Sequence, residues 1–397
     1  MGTIDQIILV TGVLSLLAVF AGVASVRLGA PLLLGLIAVG MLAGEDGPGG
    51  IDFGNFQAGY LIGSVALAVI LFQGGVATER WMLKRALWPS VLLATAGVAV
   101  SAAVVAAAAR LALGMSWPEG LLLGATVSPT DAAAVSVQLR FSRVGVPARV
   151  AGALELESGL NDPMSVFLTL TLVELMRRPG SFDLGNEVLR FLREMGVGAA
   201  IGVVGGYALL RVYRRLRIVR SAFPLLALGC TLTVFGGAQL VGASGFLASY
   251  LTGMVVGNYE HPAARPVGRF FETLGWLAQN SLFLMLGLLI TPHRLPPLLG
   301  AAAFISVILI ILARPLAATL CLVPFGWSIR EVAFISWAGL RGAVPIYLTI
   351  IPLLEGLGAG RRLFEIVFVV VIISVAAQAP TLRTVARLLG LREEKPG

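Results

Sequence analysis

Apolar residues along this 397-residue chain gather into long, nearly unbroken stretches rather than alternating or one-faced patterns, and short segments rich in Arg, Gly and Pro separate them. About 20 apolar residues are needed to cross roughly 30 Å of hydrocarbon as a helix. Thirteen stretches meet or approach that length, centred near Leu16, Leu36, Ala68, Gly97, Thr126, Met164, Gly202, Gly229, Leu251, Phe283, Ile310, Leu340 and Val371. The second and ninth are short. The pattern predicts an all-α polytopic membrane protein with about 13 transmembrane helices. No Lys or Arg precedes the run from Ile7 to Val26, and its length suits a span better than a cleavable signal core, so it reads as the first helix.

Two of these stretches are interrupted. The fifth, Leu121 to Leu139, holds Ser128-Pro129-Thr130-Asp131 at its centre, and the twelfth, Glu331 to Ile351, holds Gly339-Leu340-Arg341-Gly342-Ala343-Val344-Pro345. Proline removes a donor and clashes with the carbonyl four residues back, while glycine loosens the backbone. Each segment should therefore unwind near the bilayer midplane and free the carbonyls of Ala125 and Arg341. The two lie seven spans apart, and an odd offset reverses direction across the membrane. The expected organisation is one transporter domain over residues 1–397, with inverted six-helix repeats over about 1–178 and 222–382 and a connector helix over about 190–213. The expectation includes a short cytoplasmic tail over 383–397 and no soluble regulatory domain.

Composition agrees with the pattern: 57% of residues are hydrophobic and 13% charged, against about 25% charged in soluble domains. The net charge of +8 does not point to nucleic acid, because the basic residues sit in the loops. Alternating thirteen helices puts 19 of the 29 basic residues on one side, in the loops holding Arg27, Arg80 to Arg85, Arg140 to Arg149, Arg211 to Arg220, Arg265, Arg269 and Arg330, and in the tail. The positive-inside rule makes that side cytoplasmic, with the N-terminus outside and the C-terminus inside. Cys230 and Cys321 lie within predicted helices and read as packing residues.

Against this apolar background the buried charges stand out. Asp162 lies near the middle of the sixth stretch, and Asp131, Arg314 and Arg341 are buried in the same way. A charge in hydrocarbon costs roughly 2.5–3.5 kcal/mol even on lenient scales, so each must be paired, solvated by a cavity, or exchanging protons. The sixth helix reads Glu155-Leu156-Glu157-Ser158-Gly159-Leu160-Asn161-Asp162-Pro163-Met164. Residues four apart share a face, which places Ser158 under Asp162 and Glu157 under Asn161. Carboxylate, hydroxyl and spare carbonyl oxygens suit a hard monovalent cation. His261 and His293 both fall in predicted loops, far from any transition-metal set.

Ser128-Pro129-Thr130-Asp131 in a broken helix, Glu157-Ser158 with Asn161-Asp162 in the next, Ala313-Arg314-Pro315 in the eleventh and Gly339-Leu340-Arg341-Gly342-Ala343 in the twelfth resemble the monovalent cation:proton antiporter family of bacterial NhaP and the animal sodium/proton exchangers. The resemblance covers essentially the whole chain. The run Glu157 to Met164 and the loop Gly44-Glu45-Asp46-Gly47-Pro48-Gly49-Gly50 look most like its CvrA-type potassium/proton branch. The resemblance implies that Asp162 carries ion and proton, with Asp131, Ser158 and Thr130 as further ligands or orienters. It implies that Asn161 braces the crossing of the unwound segments, that Glu157 pairs with Arg314, and that Arg341 holds the broken twelfth helix. Glu155 lies nearer the cytoplasm as a funnel residue or a solvated one. The family further implies a homodimer in a bacterial or archaeal inner membrane, serving pH homeostasis, with no cofactor beyond the transported ions and no enzymatic activity. The chain departs from many relatives at Gln73, where they carry an acid, and the potassium branch commonly continues into a cytosolic domain.

The expected mechanism is competition at one carboxylate. Proton or cation neutralises Asp162 and lets the bundle move, whereas an empty charged site is costly to carry across. Asn161 leaves one carrier acid on the sixth helix where electrogenic relatives have two, so electroneutral one-for-one exchange is expected. Proton release from both Asp131 and Asp162 would instead carry net charge. Potassium is the favoured cation and sodium the alternative; a passive cation channel is the rival of a different class. An intramembrane protease lacks its Tyr-Asp and Gly-x-Gly-Asp pair here.

Overall fold

The computed structural model describes residues 2–28, 31–141, 144–178, 180, 183–215, 219 and 221–391. Arg143, Arg217, Arg220, Arg392 and Lys395, used above for topology, lie outside the described residues, as does the side chain of Arg27. Helices α1 (Gly2–Leu28), α2 (Leu32–Ala43) and α3 (Phe56–Ala77) precede α4 (Arg80–Leu92), which a π-helical turn at Leu93–Gly97 joins to α5 (Val98–Leu113). Next come α6 (Trp117–Val127), α7 (Ala132–Phe141), α8 (Ala148–Arg177), α9 (Leu184–Arg215), α10 (Ala222–Leu240), α11 (Gly245–Asn258) and α12 (Ala264–Leu289). A second π-helical turn, Leu309–Ala313, joins α13 (Leu299–Ile308) to α14 (Arg314–Leu322). The chain continues through α15 (Ile329–Trp337), α16 (Ala343–Leu348), α17 (Ile350–Leu354), α18 (Gly360–Gln378) and α19 (Leu382–Leu388).

Among the described residues, six helices are long and apolar enough to cross a bilayer on length and composition alone: Phe56–Ala77, Arg80–Leu113, Trp117–Arg140, Leu184–Arg215, Ala222–Leu240 and Pro296–Phe325. The bent pair α18 and α19 makes a seventh. Helix α8 runs for 30 residues but carries Glu155, Glu157 and Asp162 along its length. Of the thirteen sequence centres, Leu340 alone falls on non-helical backbone, because it sits inside the second break.

Both broken helices start in the same way. Ser116 and Glu119 form a capping box at the head of α6, and Ser328 and Glu331 form one at the head of α15. Each box satisfies orphan N–H groups at a helix start. Each broken helix also follows a helix carrying a π-helical turn, a local widening enriched at functional sites. Two details differ from the sequence reading. The second break closes before Pro345, which sits in the first turn of α16, where a missing N–H costs nothing. The carbonyls engaged across the breaks are those of Ser128, Pro129 and Leu340, where Ala125 and Arg341 were expected.

The helices pack as two groups with a cavity between them. In one, α12 lies on α2 and α3, and α11 lies between α3 and α9. In the other, α8 packs on α4 and α6, and α18 packs on α13 and α16. Glycine seams set the first group. A Cβ on Gly75 would strike the Tyr250 carbonyl, one on Gly253 the Phe72 carbonyl, and one on Gly40 the Leu284 carbonyl. Such small residues let backbones touch where lipid gives no hydrophobic drive between helices. Gly75→Ala is expected to destabilise by about 1–3 kcal/mol through overpacking, read as a lowered thermal midpoint in detergent; an unchanged midpoint would refute the seam. Outside the spans, Asp46 accepts from the His293 backbone N–H at 3.0 Å and contacts its ring Nδ1 at 2.6 Å. The backbone bond, first, holds the Asp46 carboxyl below its usual range.

Candidate functional site

The two breaks cross and are stitched together. The Asp131 N–H donates to the Leu340 carbonyl at 2.8 Å. Arg341 Nη1 reaches over to the Ser128 and Pro129 carbonyls at 2.6 and 3.0 Å. Unwound backbone in hydrocarbon must find partners within the protein, and one guanidinium supplies two of them. Arg341 is itself held from α18: its N–H donates to Ser374 Oγ at 3.2 Å, and Ser374 donates to Gln378 Oε1 at 2.6 Å. Gln378 in turn donates to the Trp337 carbonyl at 2.8 Å, closing the ring around the break. Arg341 thus does more than hold its own helix.

Helix α8 lies beside the crossing with two adjoining polar faces. On one, Asn161 Nδ2 donates to Thr130 Oγ1 at 2.8 Å, and that hydroxyl approaches Glu157 Oε1 at 3.4 Å. Glu157 and Arg314 form a two-pronged ion pair at 2.5 and 2.7 Å, with side chains 1% and 5% exposed. On the other face, Ser158 Oγ donates to the Thr130 carbonyl at 2.9 Å, with Asp162 one turn above. The i, i+4 spacing read from the sequence is what separates these two jobs.

The two aspartates have different surroundings. Asp131 Oδ1 accepts from the Ala134 N–H at 2.9 Å, as a helix cap does at the head of α7. Its Oδ2 faces Gln279 Nε2 of α12 at 3.4 Å, and a Cβ on Gly342 would collide with it. Asp162 Oδ1 is buried with no hydrogen-bond partner. A buried carboxylate without a donor is costly, so this carboxyl is the one poised to take a proton or an ion.

The Asp162 side chain borders open space. A cavity of about 540 Å³ is lined by Asp162, Asp131, Thr130, Ser158, Gln279 and Gln73, and extends to Glu155, Arg140 and Glu272. Glu155 lies seven residues before Asp162, about 10 Å nearer the N-terminal end of α8. Towards the opposite end the two helix groups are packed shut. Tyr60 stacks on Tyr347 at 5.5 Å between ring centroids, Ser64 Oγ and Tyr347 Oη lie 2.8 Å apart, and Phe56 meets Phe364 edge-on at 5.7 Å. Half of α3 therefore seals while the other half lines the cavity. Among the described residues no cluster of His, Cys, Asp and Glu could hold a metal ion.

The structure brings Asp162, Asp131, Ser158, Thr130 and Asn161 together around the crossing, with Glu157 and Arg314 against Thr130 and Arg341 behind it. Sequence reasoning missed Gln279, Ser374 and Gln378. The signal for the first was present: Gln279-Asn280-Ser281 is a polar triplet inside an otherwise apolar run.

Comparison with known proteins covers nearly the whole chain. A family model described as sodium/hydrogen exchanger, transmembrane, matches residues 13–388. The chain is 44% identical over 395 residues to the K(+)/H(+) antiporter NhaP of Alkalimonas amylolytica, covering 100% of the chain and 69% of that protein. It is 38% identical over 388 residues to the K(+)/H(+) antiporter NhaP2 of Shewanella sp. (strain ANA-3), covering 97% and 67%. The Na(+)/H(+) antiporter ApNhaP of Aphanothece halophytica is 28% identical over 348 residues, covering 83% and 65%. The fold matches that of the sodium proton antiporter MjNhaP1 from Methanocaldococcus jannaschii with a TM-score of 0.83 at 23% identity, over 97% of this chain and 100% of that one.

Proposed function

The chain belongs to the sodium/hydrogen exchanger family, a family of multi-pass membrane antiporters, and we propose that it exchanges potassium for protons, one for one, at Asp162. One observation carries this reading: the Asp162 carboxyl accepts no hydrogen bond from the described residues, its Oδ1 enclosed by protein and its side chain bordering a cavity, whereas both Asp131 oxygens face donors. A carboxyl that borders a cavity and has no protein donor is free for a proton or a metal ion, and it cannot hold both. Asp131, already a helix cap, orients the first turn of α7 and lends its field without cycling a proton. That division of labour favours electroneutral exchange.

Ser158, one turn before Asp162 on α8, and the Thr130 carbonyl to which it donates serve as the neutral oxygen ligands. Asn161, Glu157, Arg314 and Arg341 hold the crossing around them. The matched capping boxes and π-helical turns support inverted repeats over about 1–178 and 222–382. With basic loops in the cytoplasm and the N-terminus outside, the cavity opens inward, because Arg140, Glu155 and Glu272 lie towards that side. The reading includes a homodimer in a prokaryotic inner membrane. Sodium is the alternative cargo, and the 44% identity to a potassium antiporter ranks potassium first.

The test is a pH-dye assay on the full chain in liposomes. Potassium added to acid-loaded vesicles should release protons without changing the membrane potential. A response to sodium and none to potassium would overturn the cargo, and an ohmic current without proton movement would make the protein a channel.

A further inference from the structure

The wall of the cavity facing Asp131 and Asp162 belongs to the other helix group, whose acid at the cavity, Glu272, lies seven residues before Gln279 on α12, towards the Glu155 end. The wall presents two carboxamides. Gln279 projects from α12, and Gln73 of α3 lies one turn below it, in the space Gly275 leaves: a Cβ there would meet Gln73 Cγ and Oε1 at 3.3 Å. Gln279 Nε2 lies 3.4 Å from Asp131 Oδ2. With its nitrogen turned to that carboxylate, its Oε1 takes no hydrogen bond from the described residues.

We propose that Gln279 is a specificity-determining residue for the transported cation, its side-chain oxygen completing from α12 the coordination that Asp162, Ser158 and the Thr130 carbonyl begin. The inference rests on the exchange reading above. Its physical content is field strength. A neutral amide oxygen attracts a cation more weakly than a carboxylate does, so a site of one acid and several neutral oxygens favours the larger ion, which sheds its water more readily. Asp131 fixes which end of the amide faces the cavity, because its oxygen attracts the NH₂ group. Gln279 also joins the two helix groups, so the cation is held by both only while the cavity has this shape.

The experiment measures potassium and sodium titrations separately, by pH dye in liposomes, for the native chain, Gln279→Ala, Gln279→Met and Gln279→Glu. In Gln279→Ala and Gln279→Met the half-saturating potassium concentration should rise about tenfold, sodium should change less, and maximal rate should be retained. Gln279→Glu, with its stronger field, should shift preference towards sodium. Methionine keeps the volume of the side chain, so it decides the matter if the alanine variant does not fold. If both cations are affected equally, or neither is, while the native chain exchanges normally, Gln279 only props the wall and the inference is overturned with the exchange reading intact. A native chain that moves no protons in response to either cation would remove the exchange reading itself.

Discussion

Asp162→Asn is expected to reduce cation-evoked proton movement in liposomes to the protein-free background, a loss of at least about a hundredfold, while the protein stays monodisperse. Asparagine copies the shape of the side chain, and the buried position, 5% exposed, has no donor that the change would offend. What it removes is the one property the cycle needs, a group that is charged when empty and neutral when occupied. Asp131→Asn supplies the contrast. Asparagine caps a helix about as well as aspartate, so the Ala134 bond survives and exchange should persist at a reduced rate. The two substitutions together separate carrier from cap. If Asp162→Asn exchanged normally, or Asp131→Asn alone were dead, the assignment would have to be reversed.

The second large effect is on stability. Arg314→Met should destabilise the protein by about 3–5 kcal/mol, because removing one member of a buried ion pair leaves the other uncompensated. Here the stranded group is Glu157, 1% exposed and facing Thr130 Oγ1. The loss should appear as a depressed thermal midpoint in detergent and weak expression. Replacing both partners, Glu157→Leu with Arg314→Met, should recover most of it, since an apolar pair of similar volume is often as stable as a buried ion pair. Activity need not return with stability: Glu157 also borders the hydroxyl that Asn161 fixes. A single mutant as stable as the native chain would show that the pair does not hold α8 to α14.

The broken helices were legible because proline, glycine and charge coincide at Ser128 to Asp131 and at Gly339 to Gly342, and few sequences can stay helical through that combination in an apolar span. The division of α8 into two polar faces was legible from spacing alone. The Glu157–Arg314 pair was not: 157 residues separate the partners, and only the family resemblance joined them. Arg341 illustrates another limit. The sequence marks it as a buried donor, but its acceptors, at Ser128 and Pro129, depend on the angle at which two distant segments cross. Gln279 escaped notice because a single amide lowers the apolarity of a span far less than a carboxylate does. Tyr347 carries no sequence signal for its contact with Ser64, since the partners are 283 residues apart.

The stitching of the crossing also has a consequence for how the protein is made. Asp131 and Arg341 are 210 residues apart, which at about 5–20 residues per second means roughly 10–40 s between their emergence from the ribosome. Throughout that interval the first unwound segment lies in the bilayer without the guanidinium that later satisfies it, a condition worth several kcal/mol per bare carbonyl. The Ser128 and Pro129 carbonyls therefore gain their Arg341 donor only once the second half has been made, and the crossing closes no earlier than that.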